Sequence, residues 1–399
     1  MKPRARRIFI IAGEHSGDLL GGKLMAALKE KSEVPLVFSG VGGEMMEAEG
    51  LRSIFPLADI AVMGPLAILA RLPKLVRRVY QTVDAALAAD ADGVIIIDSP
   101  EFTHPVAKRI RKKKPLIPII DYVSPSVWAW RPGRARKMAP YVDHLLAILP
   151  FEPAAHQRLG GPPCSYVGHP MIEKLDWIKG LDQQELATRL GLDLAKPVLV
   201  VLPGSRPTEV RRLMQPFGET VAAVARKMGP LEVILPAVDS VRPMIEEQLR
   251  GWPVQPRLVS GQDDKFKTFR LATAALAASG TVTLELGMVG VPMVVAYKVD
   301  WVAERMRFLM KVHSVVLANL VIGENVFPEL LQEECTPEKL TAELAPLLAD
   351  TPERRTQLTG LATITDRMVL DEGTPSERAA ETTLAIIEAG VKKRLTVPR

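Results

Sequence analysis

The sequence predicts an α/β protein of two Rossmann-like, doubly wound domains, because short apolar runs alternate with amphipathic helical segments through both halves of the chain. This alternation is typical of parallel sheets covered by helices. The predicted strands are Ile8–Ala12, Leu36–Phe38, Val94–Ile97, Leu116–Ile120 and Leu145–Ile148 in the first half, and Val198–Leu202, Leu231–Leu235, Ala274–Ala278 and Pro292–Ala296 in the second. Because the strands form two series, we expect two domains that face each other across a cleft.

A segment rich in proline and glycine, Phe151–Leu175, separates the two series and predicts a hinge. We therefore place an N-terminal domain at residues 1–175 and a C-terminal domain at residues 176–370. The remaining segment, 371–399, contains a last helical stretch, Ser376–Lys392, which is free to pack back on the N-terminal domain.

Composition limits the class of protein. Apolar residues make up 47% of the 399 residues, which is enough for two packed cores. The only two cysteines, Cys164 and Cys335, are far apart and belong to no CxxC pair, so we expect neither a disulfide scaffold nor a structural zinc, and we expect a reducing compartment. The apolar run after the first arginines meets Glu14 too early for a signal peptide, and no uncharged run approaches the ~20 residues of a membrane span. These features predict a soluble or peripheral protein.

The charge is unevenly distributed along the chain. Residues 1–180 carry 25 Lys and Arg against 18 Asp and Glu, whereas the remaining residues carry 26 against 28. A basic first half indicates an anionic partner, which is a nucleic acid, an anionic lipid or a phosphorylated substrate. Aromatic residues are few and no nucleic-acid recognition motif is present, so we expect no nucleic acid.

The most informative loop follows the strand Val198–Leu202, because ligands of open α/β sheets bind beyond the carboxyl ends of strands. It reads Pro203-Gly-Ser-Arg206, and a helix begins near Thr208. Gly204 allows close backbone approach, the amides of Gly204 and Ser205 favour an anion at the helix N-terminus, and the Arg206 guanidinium suits phosphate. The alternative is a tight turn with a surface arginine.

A second loop has the same character. The strand Ala274–Ala278 ends in Ser279, Gly280 and Thr281, and Glu285 lies one turn into the next helix. The small residues bring amides towards a diphosphate, while Glu285 is suited to accept hydrogen bonds from a ribose diol. The alternative is a capped helix with an exposed glutamate. Two such loops together predict a nucleotide-diphosphate pocket.

Asp98 lies at the tip of a buried strand in the first half, which is a natural position for a general base. The alternative is a helix N-cap or an Asx turn before Pro100. The first strand leads into a polar loop, Gly13–Asp18, in which Glu14 and Ser16 are candidates to line a substrate.

Two other glycine-containing segments imitate nucleotide motifs. Gly17–Lys23 resembles a P-loop, but Leu24 replaces the Ser or Thr that binds Mg²⁺, and Gly40–Met45 lacks the third glycine of the dinucleotide fingerprint. We therefore predict no cofactor. We also predict no metal, because no Asp-x-Asp pair or His/carboxylate cluster lies near either phosphate loop.

The segment 60–80 is a candidate lipid contact. Ile60–Ala70 is apolar and uncharged but too short to span a bilayer, and it continues into a helix with an apolar stripe beside a basic one. The alternative is a surface helix whose apolar stripe packs on the sheet. The predicted lipid contacts are Met63, Leu66, Leu69, Arg71, Leu72, Lys74, Arg77 and Arg78.

Eight segments, in order, resemble those of the lipid-A-disaccharide synthase family, and the longest is Tyr122-Val-Ser-Pro-Ser-Val-Trp-Ala-Trp-Arg131. The others are Ala12–Asp18, Ala61–Gly64, Leu149–Glu152, Val167–Pro170, Leu202–Arg206, Ala278–Thr281 and Leu331–Cys335. The resemblance implies the GT-B fold and a metal-free inverting glycosyltransferase. The donor would be UDP-2,3-diacylglucosamine, and the acceptor would be 2,3-diacylglucosamine 1-phosphate. The products would be the β-1,6-linked disaccharide phosphate and UDP.

On this interpretation Arg206 and the loop amides stabilise the leaving UDP, Asp98 is the base and Glu285 binds the ribose. We also assign Ser124, Ser126, Trp128 and Asn319 to substrate binding. The alternatives are a UDP-sugar 2-epimerase-like enzyme and a non-catalytic, membrane-associated nucleotide-sugar-binding module. We expect a cytoplasmic protein on the inner face of the cytoplasmic membrane, attached to its anionic surface and able to form a homodimer.

Overall fold

A computed structural model describes residues 4–61, 65–299 and 312–396, without the side chains of residues 65–70 and 395. The chain divides into two compact units. The N-terminal unit contains the chain up to Ile172 and from Leu370 onward, and the C-terminal unit is Glu173–Val369.

The N-terminal unit is built on a parallel sheet of six strands. The strands are β1 Arg6–Ala12, β2 Leu36–Val41, β3 Gly93–Ile97, β4 Ile119–Tyr122, β5 His144–Ala147 and β6 Cys164–Tyr166. The helices between them are α1 His15–Lys31, α2 Glu44–Ala48, α3 Pro65–Ala88, α4 Pro100–Lys113, α5 Gly133–Met138 and α6 Glu152–Leu159. The strand order is β2-β1-β3-β4-β5-β6.

The C-terminal unit repeats this plan. Its strands are β7 Val198–Leu202, β8 Glu232–Pro236, β9 Arg257–Val259, β10 Ala274–Ala278, β11 Met293–Tyr297 and β12 Glu329–Leu331. Its helices are α7 Leu175–Gly180, α8 Gln183–Leu190, α9 Pro207–Met228, α10 Arg242–Leu249, α11 Gln262–Leu271, α12 Val282–Val289, α13 Leu317–Ile322, α14 Pro337–Leu347 and α15 Pro352–Met368. The strand order is β12-β11-β10-β7-β8-β9, and all pairs are parallel.

The central strands β3, β7 and β10 are apolar throughout because helices cover both faces of each sheet. In β1, Ile8 and Ile10 lie in a core with residues of α1, whereas Phe9 and Ile11 lie in a second core with residues of α3 and α4. Successive strand residues point to opposite faces, so a strand covered on both sides needs no polar alternation. The predicted fold class is therefore confirmed, since both sheets are parallel and wound in both directions.

The last helix, α16 Pro375–Thr396, belongs to the N-terminal unit and packs on α1. Ala379, Ala380 and Ile387 are buried in the core that contains Ile8. Its approach to the sheet is close, because a Cβ on Gly93 would lie 2.6 Å from Ile387. Lys31 of α1 also pairs with Glu377 of α16, at 3.1 Å.

The segment Phe151–Leu175 differs from the predicted hinge. It contains α6 and β6, both in the N-terminal unit. Its prolines and glycines have local roles, since Pro153 lies in the first turn of α6 and Gly160 ends that helix in the left-handed conformation, with φ of 69°. Most of the predicted hinge segment is therefore built into the N-terminal unit, and the boundary between the two units falls near its end, between Ile172 and Glu173.

Three strands were not predicted, namely β6, β9 and β12. Each has only three residues, and each lies at an edge of its sheet. Edge strands are only partly covered, so they lack the continuous apolar run that identifies a central strand.

Gly40 allows the backbones of β1 and β2 to approach each other closely. Its φ is +142°, and a Cβ there would overlap the carbonyl oxygen of Ile10 on β1.

We predict that Gly40→Ala lowers the free energy of unfolding by about 2–4 kcal/mol, measured by urea denaturation. Gly133→Ala is the control, because nothing lies within 4 Å of a Cβ there and no positive φ is required. Equal stability of the two variants would contradict this account of the sheet.

Candidate active site

The candidate residues of the N-terminal unit lie at the point in the sheet where the strand order reverses. From β1 the chain goes to β2 on one side and then to β3 on the other, so the connections after β1 and β3 diverge. Ala12 and Ile97 are register partners, which places the residues that follow them side by side. Open α/β sheets bind ligands at such a switch point. Glu14 and Asp98 are thereby brought together.

The two loops at this switch point touch through Gly13 and Ser99. The Gly13 amide donates to the Ile97 carbonyl at 3.3 Å, and a Cβ on Gly13 would overlap the Ser99 side chain. Asp98 and Ser99 both have left-handed backbone conformations, with φ of 53° and 44°. Such conformations cost roughly 1–3 kcal/mol each outside glycine and concentrate at functional sites.

Asp98 is not the cap of the helix that follows it. Ser99 is the N-cap residue of α4, and the Ser99 amide donates to Asp98 Oδ1 at 2.7 Å. Burial raises the pKa of Asp98 to about 6, with further contributions from the Glu14 charge and from a hydrogen bond with Glu14. The Ser99 amide opposes this rise. Glu14 itself accepts from the Ser16 hydroxyl at 2.8 Å. Glu14, Ser16 and Asp98 thus lie together in the structure.

The loop after β4 is held from its buried side by α6. The hydroxyl of Ser124 lies 2.8 Å from His156 Nε2, and Trp128 Nε1 donates to Glu152 Oε1 at 3.1 Å. Ser124 is buried and Trp128 is half-buried, whereas Ser126 is exposed. Of these three assigned residues, Ser126 is therefore the one whose side chain is open to a ligand in this conformation.

The same loop begins and ends in strained backbone. Val123 has φ of 81° and Arg131 has φ of 52°, and a positive φ is unusual for a β-branched residue such as valine. Trp130 is exposed, and the Arg131 guanidinium lies 4.1 Å from the centre of its ring. The sequence motif contained both residues, but only the structure indicates that this pair, and not Trp128, is presented outward.

Glu152, the last residue of the segment Leu149–Glu152, is a buried carboxyl group to which the sequence analysis assigned no role. It is 2% exposed and accepts hydrogen bonds from the amides of Ile148 and Leu149, at 3.2 and 3.0 Å, besides Trp128. Burial raises its pKa to about 7, against the effect of these donors. Its glutamate follows a proline and a phenylalanine in the chain, a context that gives no sign of burial.

Asp18 explains one glycine of the segment Gly40–Met45, which is Gly43. It is buried and accepts hydrogen bonds from the amides of Gly43, Met45 and Met46, at 2.7, 3.1 and 3.1 Å. A Cβ on Gly43 would lie 2.7 Å from Asp18 Oδ2. Gly43 therefore admits a carboxylate of this chain to the N-terminus of α2.

In the C-terminal unit the switch point lies between β7 and β10. From β7 the chain goes to β8 on one side, and β10 then lies on the other. The two predicted phosphate loops, 203–206 and 279–281, follow these two strands. Register pairs Ala277 with Leu202, so the loops begin at neighbouring positions of the sheet.

A carboxylate of the chain occupies the first loop. Glu209 Oε2 accepts from the amides of Ser205 and Arg206, at 3.1 and 3.2 Å, and Glu209 Oε1 accepts from Arg206 Nη1 and the Tyr297 hydroxyl, at 3.1 and 2.9 Å. Gly204, with φ of 110°, makes room for Glu209, since a Cβ there would lie 2.5 Å from Glu209 Oε2. The Ser205 amide, assigned to phosphate from the sequence, is thus bound to Glu209, while the Arg206 side chain remains 61% exposed.

The second loop is more open. Gly280 and Thr281 are exposed, and nothing lies within 4 Å of a Cβ on Gly280. Ser279 donates its hydroxyl hydrogen bond to the Val315 carbonyl at 3.0 Å. Glu285 forms a two-pronged ion pair with Lys265, at 2.9 and 2.8 Å. A ribose would therefore meet a paired carboxylate and not a free one.

A cavity of about 550 Å³ lies on the Val315 side of this loop. Its lining includes His313, Ser314 and Glu329. The Val315 amide donates to Glu329 Oε2 at 2.9 Å, and the Ser314 hydroxyl donates to Glu329 Oε1. The cavity wall is therefore polar and internally hydrogen-bonded.

Asn319 does not reach any ligand surface. It is 0% exposed, and its Nδ2 donates to the Phe327 carbonyl and to Glu329 Oε1, both at 2.9 Å. Its Oδ1 accepts from the amides of Val326 and Phe327, at 3.0 and 2.9 Å. All of its hydrogen-bonding capacity is used within the unit. The assignment of Asn319 to substrate binding is therefore corrected to the packing of the turn before β12.

The predicted lipid contacts are only partly covered by the described residues. Met63 and the side chains of Leu66 and Leu69 lie outside them. On the described part of α3, Leu72, Val76 and Tyr80 are 47%, 46% and 53% exposed. Their spacing of four residues places them on one helix face.

The basic residues of α3 fall into two groups. Lys74 and Arg78 both pair with Asp59, and Lys74 Nζ lies 2.5 Å from Asp59 Oδ1. These hydrogen bonds lower the pKa of Asp59. Arg71 and Arg77 are exposed, and neither forms an ion pair with any residue of the described ranges. The two unpaired arginines therefore lie on the same helix as the exposed apolar face. Within 4–61, 65–299 and 312–396, no helix is both long and apolar enough to cross a membrane.

Comparison with known proteins identifies the family. The family model described as Lipid-A-disaccharide synthetase matches residues 8–382. This chain belongs to the lipid-A-disaccharide synthase family. The lipid-A-disaccharide synthase of Rhodopseudomonas palustris strain HaA2 is 51% identical over 386 residues, which cover 96% of each chain. The enzyme of the same name from Rhodospirillum centenum is 43% identical over 97% of this chain and 96% of its own.

Family membership makes the chain an enzyme of the glycosyltransferase class. Solved structures agree with the GT-B fold. A UDP-GlcNAc 2-epimerase from Neisseria meningitidis, bound to UDP-GlcNAc, has a TM-score of 0.61 at 11% identity over 96% of this chain and all of that chain. MurG of Acinetobacter baumannii has a TM-score of 0.57 at 12% identity over 96% and 99% of the two chains. Similarity at this level of identity shows the fold alone.

The buried Glu152 of this family member generates a pH prediction. The unfolded chain releases this proton near the ordinary glutamate pKa, whereas the folded chain holds it until about pH 7. The folded state thus binds more protons between these values, so its stability falls as pH rises from about 5 to about 7, by about 2–3 kcal/mol. We expect the thermal midpoint of Glu152→Gln to lack this fall. Parallel pH curves for the two proteins would contradict the role of Glu152.

Proposed function

We propose that this synthase transfers 2,3-diacylglucosamine from UDP to 2,3-diacylglucosamine 1-phosphate with inversion. The products are the β-1,6-linked lipid A disaccharide 1-phosphate and UDP. The observation that carries this proposal is the family match over residues 8–382. The placement of the candidate residues at the switch point of each sheet supports it.

Asp98 takes the proton of the acceptor hydroxyl in this proposal. Its half-buried position and its pKa of about 6 support the role, because a base with a pKa near the working pH combines the ionised form with useful basicity. The hydroxyl oxygen forms the new bond to the anomeric carbon. The bond from that carbon to the UDP phosphate breaks, and UDP leaves with the electron pair.

Arg206 stabilises the charge that develops on the leaving UDP. Its exposed guanidinium supports this role, and Glu209 holds one of its nitrogens in place at 3.1 Å. The exposed loop of Gly280 and Thr281 is proposed to receive the diphosphate, with Glu285 near the ribose. Preorganised charge of this kind costs no rearrangement at the moment of reaction.

We also propose that α3 attaches the enzyme to the anionic inner face of the cytoplasmic membrane. The exposed Leu72, Val76 and Tyr80 are suited to acyl chains, and the unpaired Arg71 and Arg77 are suited to lipid phosphates. Both substrates carry acyl chains, which favours an enzyme that works at a lipid surface.

The function is tested by incubating the purified enzyme with the two predicted substrates and analysing the product by mass spectrometry. A disaccharide phosphate that requires both substrates is the expected result. Conversion of the UDP-sugar without acceptor would identify an epimerase instead. Binding of UDP without turnover would identify a non-catalytic binding module.

Arg206→Ala should lower kcat by about 10²–10³ while the fold survives, because one preorganised charge at a developing anion is lost. Arg211→Ala is the matched control, since Arg211 is exposed on the same helix, α9. Steady-state kinetics and thermal melting would be measured for both. A folded Arg206→Ala enzyme as active as Arg211→Ala would remove Arg206 from the mechanism.

Reversal of Arg71 and Arg77 to Glu should weaken binding to anionic phospholipid vesicles. Each basic residue near such a surface contributes about 1 kcal/mol, so the loss of two lowers affinity at least about thirty-fold. Lys74 and Arg78 are left unchanged because they pair with Asp59. Arg226 and Lys227, exposed on α9, provide the control reversal with the same charge change. Equal vesicle binding by the two variants would place the membrane contact elsewhere.

A further inference from the structure

Two carboxyl groups meet at the switch point of the N-terminal unit, and only one of them has a proposed part in the chemistry. Glu14 forms a hydrogen bond with Asp98, and carboxyl groups bond to each other only through a proton. Glu14 was expected to contact substrate, but its carboxyl group is directed to another residue of the chain. The inference below rests on the proposed role of Asp98 as base.

The backbone brings together the two loops that carry Glu14 and Asp98. Gly13 follows the register pair of Ala12 and Ile97, and its amide bonds to the Ile97 carbonyl at 3.3 Å. Because Gly13 has no Cβ, the Ser99 side chain lies directly against it. The left-handed φ values of Asp98 and Ser99 turn the chain at this contact. Two strand ends and one glycine therefore fix the distance between the loops that carry Glu14 and Asp98.

The remaining polar contacts fix the orientation of both carboxyl groups. The Ser16 hydroxyl donates to Glu14 Oε1 at 2.8 Å, and the Ser99 amide donates to Asp98 Oδ1 at 2.7 Å. Each carboxyl group thus has one oxygen held by a neighbouring donor. The other hydrogen-bonding positions remain for the contact between the two groups and for a ligand.

We propose that Glu14 is a positioning residue for Asp98, and that the two carboxyl groups act as one unit that receives a single proton during transfer and shares it between them. The acceptor hydroxyl gives its proton to Asp98, and its electron pair forms the new C–O bond. The protonated Asp98 then donates to ionised Glu14. This hydrogen bond stabilises the state in which Asp98 has taken the proton.

The electrostatic surroundings agree with this arrangement. Asp98 faces Glu14 from the loop before α1 and Asp121 from β4, and both charges raise its proton affinity. Asp121 lies 3.2 Å from His104 Nε2 of α4.

Two further titratable groups of these elements are directed elsewhere. Glu101 of α4 pairs with Arg134 at 2.5 Å, and His15 of α1 is exposed. Burial and the Glu14 charge are the two largest causes that raise the pKa of Asp98 to about 6.

The test is the pH dependence of kcat in the wild type and in Glu14→Gln. The ionised base is needed, so the wild-type rate should rise with pH through about 6 and then level off. Loss of the Glu14 charge lowers the proton affinity of Asp98, so the midpoint in Glu14→Gln should move about one unit or more to lower pH. The plateau kcat should fall about tenfold because the partner that stabilises the protonated base is lost. The KM values of both substrates should change less than twofold.

Glu30→Gln is the matched control, since Glu30 is exposed on α1, the helix that Glu14 precedes, and carries the same charge. It should reproduce the wild-type profile. An unchanged midpoint in Glu14→Gln would overturn the proposal, and so would a higher acceptor KM with unchanged kcat, which would make Glu14 a substrate contact only.

Asp98→Asn separates this proposal from the proposed function. It should lose transfer by about 10²–10⁴-fold while UDP binding persists, and full activity in that variant would mean that Asp98 is not the base. The carboxyl carbon of Asp98 can be titrated by ¹³C NMR in the wild type and in Glu14→Gln, without any turnover. A titration midpoint of Asp98 that is lower in Glu14→Gln supports the pairing whatever the reaction is. Identical midpoints would refute it.

Discussion

Both units depend on the same constraint of parallel sheets. At one point in each sheet, the connections that follow two neighbouring strands run to opposite sides of the sheet. In the N-terminal sheet this point lies between β1 and β3, and in the C-terminal sheet it lies between β7 and β10. No crossing covers the carboxyl ends of the two strands at this point, so the loops there are open to a ligand. Glu14 and Asp98 occupy the first switch point, and the loops of Arg206 and Gly280 occupy the second.

Carboxylates that accept several hydrogen bonds organise the loops around these points. Asp18, Glu152, Glu209 and Glu329 each accept two or more hydrogen bonds, and each takes at least one backbone amide. An ionised carboxylate can replace the missing partners of several amides at once, which stabilises a loop that has no ladder or helix of its own.

Asp98 differs from these groups in the partners it has. Within the described residues its carboxyl group accepts from the Ser99 amide, and its other close neighbour is a second carboxyl group. A carboxylate placed to stabilise a loop would have donors in that position, as Glu152 and Glu209 do. This contrast, together with the strained backbone at Asp98 and Ser99, favours a chemical role for Asp98 over a structural one.

The sequence alone determined the fold class, because buried parallel strands require continuous apolar runs and these are visible without any structure. It also determined the two strand-end loops and Asp98, since a polar residue directly after such a run must lie at the carboxyl edge of the sheet. The three-residue edge strands β6, β9 and β12 escaped prediction because partial burial leaves no apolar run. The helix α6 was not predicted, because a proline at its beginning and glycines at its end made the segment resemble a loop.

Only the tertiary structure decided which polar groups face each other. Glu209 lies five residues after Gly204 in the chain, yet the hydrogen bond that it accepts from the Ser205 amide depends on the first turn of α9. It also depends on Tyr297 of another strand, whose hydroxyl donates to the other carboxylate oxygen. The burial of Asn319 depends on the turn at Val326 and Phe327. The pairing of Glu14 with Asp98 depends on a register between strands that are about eighty residues apart. Side-chain partners of this kind are set by long-range packing, whereas apolar periodicity is set locally. For this reason the sequence located the loops at the strand ends, while only the structure assigned their contacts.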